Sequence, residues 1–215
     1  MRAEVVPAIL VKTREDLLHR IHQVLGLVKE IQLDIMDGKF VPNQTIGLES
    51  LGNLPKATYE FHWMVFEPEK WIEKIQGPNI HLVHVETITS LDTIQNAIKK
   101  SGGKLGFAIN PETSLDKLLP LIKKAKPIRV LVMTVHPGFS GQKYIYEMKE
   151  KIEKLRSLYP KLDIEVDGGI NEETGRHAYL SGANILAAAS ALFSSPNIKD
   201  AINNLKRVGE VDEKH

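Results

Sequence analysis

An α/β barrel of eight consecutive βα units is the architecture this sequence specifies, and three observations lead to it. Short runs rich in aliphatic and β-branched residues alternate with longer stretches of helical periodicity. Most of the short runs are continuously apolar, as strands of a parallel sheet covered on both faces should be. Eight units spread over 215 residues take about 27 residues each, which suits a barrel with few insertions. No linker, low-complexity segment or shift of composition divides the chain. The expectation is one (β/α)8 domain over residues 1–215, with a charged tail at 211–215 that frays. An open doubly wound sheet is the competing arrangement. It would want a Gly-x-Gly-x-x-Gly turn, which the sequence lacks.

Strands are predicted at 5–10, 31–36, 59–65, 80–85, 104–109, 130–135, 164–166 and 185–188. Thr13-Arg14-Glu15-Asp16 resembles a capping box, and Leu17, Leu18, Ile21, Val24 and Leu25 follow at helical spacing. Residues 45–54 form the weakest unit, with room for one short helix. Ser114 precedes Leu115, Leu118, Leu119 and Ile122 before Pro127 stops the pattern. A further helix is predicted over 144–158, apolar at Ile145, Met148, Ile152 and Leu155. Asn171 can cap a helix over 172–180, which Gly182 then ends.

Composition narrows the function. Lys+Arg at 28 against Asp+Glu at 27 leaves a net charge of +1, so the chain carries no electrostatic footprint for nucleic acid or an anionic membrane. With no cysteine there is no disulfide, thiolate nucleophile or thiolate metal site. Any metal must sit on His, Asp, Glu or amide oxygens. No apolar stretch reaches the ~20 residues that span a bilayer and no signal peptide is visible, so a cytoplasmic protein is expected.

In such barrels the chemistry sits at the C-terminal ends of the strands. Period-two alternation puts Gln32, Asp34 and Met36 on one face of the second strand, and His62 and Met64 on one face of the third. Asp34 and Asp167 come from strands two and seven, which face each other across the ring. That pairing can set an acid and a base on opposite sides of one substrate carbon. Strand-end aspartates serve equally well as loop caps or salt-bridge partners. Gly138, Ser140 and Gly141 after strand six, Gly168 and Gly169 after strand seven, and Ala189 and Ser190 after strand eight gather backbone N–H groups suited to a phosphate. Each glycine alone is also explained by a tight turn.

At these residues the sequence resembles the ribulose-phosphate 3-epimerase family. The resemblance is carried by the stretches at 33–43 (LDIMDGKFVPN), 62–65 (HWMV), 108–111 (AINP), 130–138 (VLVMTVHPG), 164–170 (IEVDGGI) and 182–184 (GAN). It implies a TIM barrel of the ribulose-phosphate-binding type that interconverts D-ribulose 5-phosphate and D-xylulose 5-phosphate. It also implies a divalent metal (Zn, Mn or Fe) and a homo-oligomer. By that resemblance Asp34 and Asp167 are the acid/base pair and, with His62, metal ligands. Met36, Met64 and Met133 then line the site, although methionines at such positions are also ordinary core fillers.

The departures from the family pattern are specific. Gln32 stands where the family has a fourth ligand, a histidine, and an amide oxygen is a poorer zinc ligand than imidazole. Selectivity would then shift toward harder ions such as Mn2+. Alternatively the Gln32 NH2 group donates to the enediolate. Ala8 replaces a substrate-contacting serine, His136 and Ser140 alter the loop after strand six, and Ala189 replaces a glycine. His136 is open to two readings, a compensating ligand or proton donor and a loop histidine. A ketohexose 6-phosphate substrate, or a phosphosugar-binding barrel with impaired catalysis, are the alternatives these changes raise. A decarboxylase of the orotidine phosphate kind would want an Asp-x-Lys-x-x-Asp array, which the order Asp34, Asp37, Lys39 does not match.

Overall fold

The computed structural model describes residues 2–139 and 141–210, so Ser140 and the tail at 211–215 lie outside the described residues. Eight parallel strands pair in sequence order and close on themselves: β1 (Glu4–Ile9), β2 (Glu30–Met36), β3 (Thr58–Met64), β4 (Ile80–His84), β5 (Lys104–Ile109), β6 (Arg129–Met133), β7 (Asp163–Asp167) and β8 (Ile185–Ala188). Closure is made by β1 against β8, with Glu4 opposite Ile185 and Pro7 opposite Ala188. On the same side Ala3 N donates to Lys206 O, and Arg2 pairs with Glu210 at 2.7 Å. All eight predicted strands are present, with no end shifted by more than two residues.

Around the ring run α1 (Arg14–Val24), α2 (Pro68–Ile72), α3 (Leu91–Ser101), α4 (Leu115–Ala125), α5 (Met148–Leu158), α6 (Glu172–Leu180), α7 (Ser190–Phe193) and α8 (Ile198–Lys206). The caps explain where several of them begin. Thr13 Oγ1 accepts from Asp16 N, Ser114 Oγ from Asp116 N, and Asn171 with Thr174 forms a reciprocal capping box. The unit at 45–54 holds only a 3-10 turn, Leu48–Ser50. The helix predicted over 144–158 starts four residues late, at Met148. Ile145 N donates to Thr134 O, and Tyr144 and Tyr146 pack edge-on against His177, so tertiary contacts displace the local helical preference. Among the described residues no helix is long and apolar enough to cross a membrane.

Outward-facing strand residues such as Leu33, Ile35, Trp63 and Phe107 pack against the helices and form the main core. Trp63 is fully buried there, whereas Phe66, just beyond the end of β3, is exposed. The barrel interior is divided. One side is apolar, with Ile80, Leu82, Ala108, Leu131 and Met133. The other is polar, because β2, β3, β6 and β7 turn Glu30, Gln32, Glu60, His62, Arg129, Glu165 and Asp167 inward.

At the N-terminal end of the barrel Arg129 reaches Glu30 at 2.7 Å, Glu60 at 2.6 Å and Glu165 at 3.3 Å. Burial works against the Arg129 charge, but the three carboxylates outweigh it and hold the guanidinium protonated. Burial pushes the carboxyls of Glu60 and Glu165 upward, and the two hydrogen-bond each other. Removing the only guanidinium of this cluster leaves buried carboxylates uncompensated, which typically costs about 3–5 kcal/mol. Arg129→Met should therefore lower the unfolding free energy by about that amount at neutral pH, measured by urea denaturation; a loss under about 1 kcal/mol would show that the cluster is neutral without the arginine.

Candidate active site

The register of β2 and β3 sets Asp34 beside His62 and Met36 beside Met64, and that of β6 and β7 sets Met133 beside Asp167. Two threonines fix the strand ends that carry the carboxylates. Thr45 Oγ1 donates to Asp34 O at 2.8 Å and accepts from Met36 N at 2.9 Å. Thr134 Oγ1 lies 2.9 Å from Asp167 O and 2.6 Å from Gly168 O and donates its hydrogen to one or the other. The side chains above these anchors are therefore held on rigid backbone, not on loops.

Asp34, His62 and Asp167 converge. One ligand-type atom from each lies within 4.8 Å of the others. His62 Nδ1 is 3.0 Å from Asp34 Oδ1 and 3.6 Å from Asp167 Oδ2. Gln32 sits beneath them, fully buried. Its Nε2 donates to Asp34 Oδ1 at 2.8 Å and to Asp167 Oδ2 at 2.7 Å. The amide thus uses both N–H bonds to brace two carboxylates, and among the described residues its Oε1 has no partner.

The electrostatics follow from burial and this crowding. Burial first, then the nearby Asp34 charge, push Asp167 up to about 7, while His62 and the Gln32 hydrogen bond oppose the rise. Burial alone would push His62 down. Its hydrogen bond to Asp34 and the charges of Asp34 and Asp167 reverse that and raise it. At neutral pH Asp167 is a carboxyl close to its midpoint beside a second carboxylate, an arrangement suited to proton exchange.

The site opens into a cavity of about 770 Å3 at the C-terminal end of the strands. Met36, Met64 and Met133 line it, as do Ala8, Gly138, Gly141, Gly168, Gly169, Ala189 and Ser190. At Gly168, with φ +119°, an added Cβ would come within 2.4 Å of the Val135 side chain. At Gly169, with φ +65°, it would come within 2.9 Å of Tyr144 N, so the loops after β6 and β7 meet backbone to backbone. His136 stands apart from the triad, exposed on the rim and paired with Glu112, so it supplies no further ligand in this arrangement. Tyr144, Tyr146 and Glu173 complete the mouth and were not singled out from sequence. Nor were roles assigned to His84 and Glu86, although both stand at the end of β4. His62 Nε2 lies 2.8 Å from His84 Nε2, and His84 Nδ1 lies 3.2 Å from Glu86 Oε2.

Comparison with known proteins agrees with this geometry. Residues 4–193 match the model of the ribulose-phosphate 3 epimerase family. A ribulose-phosphate 3-epimerase of Eremothecium gossypii is 36% identical over 94% of this chain and 91% of its own length. A cytoplasmic isoform of that enzyme from Oryza sativa subsp. japonica is 37% identical over 95% and 93%. The chain belongs to the ribulose-phosphate 3-epimerase family. Among solved structures, 3-hexulose-6-phosphate synthase from Salmonella typhimurium shares the fold, with a TM-score of 0.67 at 16% identity over 97% of this chain and 98% of that one.

Two of the departures from the epimerase pattern now have a structural account. Ala189 has φ −110°, so the loop after β8 does not use left-handed backbone here and a side chain is tolerated. Gln32, set by the resemblance where a ligand histidine is expected, is here a neutral brace between the two carboxylates. Because its N–H bond stabilises ionised Asp167, Gln32→Leu should raise the Asp167 pKa above about 7. Carboxyl 13C NMR titration would read the shift directly, and an unchanged midpoint would show that the amide does not brace Asp167 in solution.

Proposed function

We propose that this protein is a sugar-phosphate 3-epimerase that interconverts D-ribulose 5-phosphate and D-xylulose 5-phosphate. Supporting this reading, the buried Asp34 and the half-buried Asp167, from β2 and β7, meet at one point of a cavity, and Asp167 titrates near pH 7. With Asp167 protonated, the Asp34 carboxylate takes the C3 proton of one epimer. The Asp167 carboxyl then delivers its proton to the other face, and the return reaction exchanges the roles. The glycines after β6 and β7, with Ala189 and Ser190, would receive the phosphate through backbone N–H groups. The three methionines give the cavity an apolar lining that would shield the planar intermediate from stray protonation.

A divalent ion fits the donor set of Asp34, His62 and Asp167, and if bound there it would polarise the C2 carbonyl and stabilise negative charge on its oxygen. The unpartnered Gln32 Oε1 adds an oxygen that a turn of the amide would direct to the same point. Two carboxylates, one imidazole and an amide oxygen form a harder set than one with two imidazoles, which favours Mn2+ or Fe2+ over Zn2+. The cytoplasmic setting expected from the sequence is in keeping with the Oryza relative's name.

Asp34→Asn and Asp167→Asn should each lower kcat by at least about 10²–10⁴-fold while circular dichroism stays native. Full turnover in both variants would sink the assignment. Metal-stripped protein should regain epimerisation of D-ribulose 5-phosphate with Mn2+ or Fe2+ more readily than with Zn2+. Turnover of hexulose phosphates alone would move the substrate up by one carbon.

A further inference from the structure

Beyond the residues that would touch substrate or metal, a hydrogen-bonded line runs away from the site through the barrel wall. It passes from Asp34 to His62 Nδ1 at 3.0 Å, and from His62 Nε2 to His84 Nε2 at 2.8 Å. It continues from His84 Nδ1 to Glu86 Oε2 at 3.2 Å, while Glu86 Oε1 accepts from Asn110 N at 2.9 Å. His62 and His84 are wholly buried and Phe40 packs over the His84 ring, so water does not compete along the line. We infer that Glu86 and His84 are positioning residues that fix the proton of His62 on Nε2 and so present the Nδ1 lone pair to a divalent ion between Asp34 and Asp167. The inference rests on the metal reading proposed above.

The direction of the line follows from donor and acceptor counting. An ionised Glu86 can only accept, so His84 Nδ1 must carry hydrogen. Despite burial, hydrogen bonds from His84, Thr113 and Asn110 hold the Glu86 carboxyl below the usual carboxylate range. When His62 Nδ1, the ring nitrogen that faces both aspartates, holds an ion, it carries no hydrogen, and the one hydrogen of the neutral His62 ring is on Nε2. Only one hydrogen fits between two ring nitrogens 2.8 Å apart, and it must therefore belong to His62. Both bonds beyond His62 then point from the metal side toward Glu86. A ligating imidazole whose other nitrogen donates to an anchored acceptor is held in orientation and made more basic.

Glu86→Gln reverses this polarity almost without change of shape. The Asn110 N–H still requires an oxygen at Oε1, so the new NH2 group faces His84 Nδ1 and forces it to accept. His84 Nε2 then carries the hydrogen, His62 Nε2 must accept, and the His62 proton moves to Nδ1. His84→Gln has the opposite consequence. Its carbonyl oxygen can accept from His62 while its NH2 donates to Glu86, so the proton on His62 Nε2 stays. The test is long-range 1H–15N correlation of the imidazoles in ion-free full-length protein, with Zn2+ and Mn2+ affinities measured by calorimetry. Wild type and His84→Gln should show a proton on His62 Nε2. Glu86→Gln should lack it and bind both ions about 10–100-fold more weakly. A proton retained on His62 Nε2 in Glu86→Gln, or unchanged affinities, would overturn the inference. Absence of ion binding in wild type would instead overturn the metal reading, and the nitrogen spectra of the ion-free proteins would still decide the direction of the line.

Discussion

Closing eight strands into a ring forces the inward residues of β2, β3, β6 and β7 into one narrow, low-dielectric column, where every charge needs a counter-group. The remaining features of the interior answer that constraint. At the base, Arg129 faces Glu30, Glu60 and Glu165. In the middle, Gln32 lies level with Glu60 and bridges upward to the next pair of carboxylates. At the top, His62 leans on Asp34 from the side. An isolated ionised carboxylate would be prohibitively costly at any of these depths, so the sites are mutually dependent.

This dependence explains how a chain with glutamine at position 32 holds Asp34 and Asp167 close together beside His62. An imidazole at position 32 would present a lone pair or a single N–H to the cleft. The amide presents two N–H groups and holds both carboxylates with no charge of its own. The two aspartates are thus brought together by a neutral donor, and burial with their mutual repulsion is expressed as a raised Asp167 pKa, not as separation. The loops above carry the other departures with little strain. Ala189 needs no special backbone, whereas Gly168 and Gly169 leave no room for a side chain.

The strands and most of the site were legible in the sequence because both depend on local patterns. Continuous apolar runs mark buried parallel strands, and period two is enough to put Asp34 with Gln32 and His62 with Met64 on inward faces. What escaped depends on register between strands. Nothing local says that β3 and β4 align so that His62 meets His84, or that Arg129, at the start of β6, finds three carboxylates from other strands. The unassigned Tyr144 and Tyr146 escaped for a related reason. Their segment reads as the first turn of a helix, and only the contact with His177 on α6 pulls it into the mouth of the cavity.

The seam between β1 and β8 carries a separate consequence. Arg2 and Glu210 touch across it, and the first strand is held by the last strand and by the end of α8. The order in which the units are connected is therefore not what holds the ring together. Circular permutation is open to this chain: residues 2 and 210 can be joined by a short flexible segment and new ends cut in a loop at the N-terminal face of the strands. Such a cut lies at the opposite end of the barrel from Asp34, His62 and Asp167, so the chemistry and the chain's point of entry can be chosen independently.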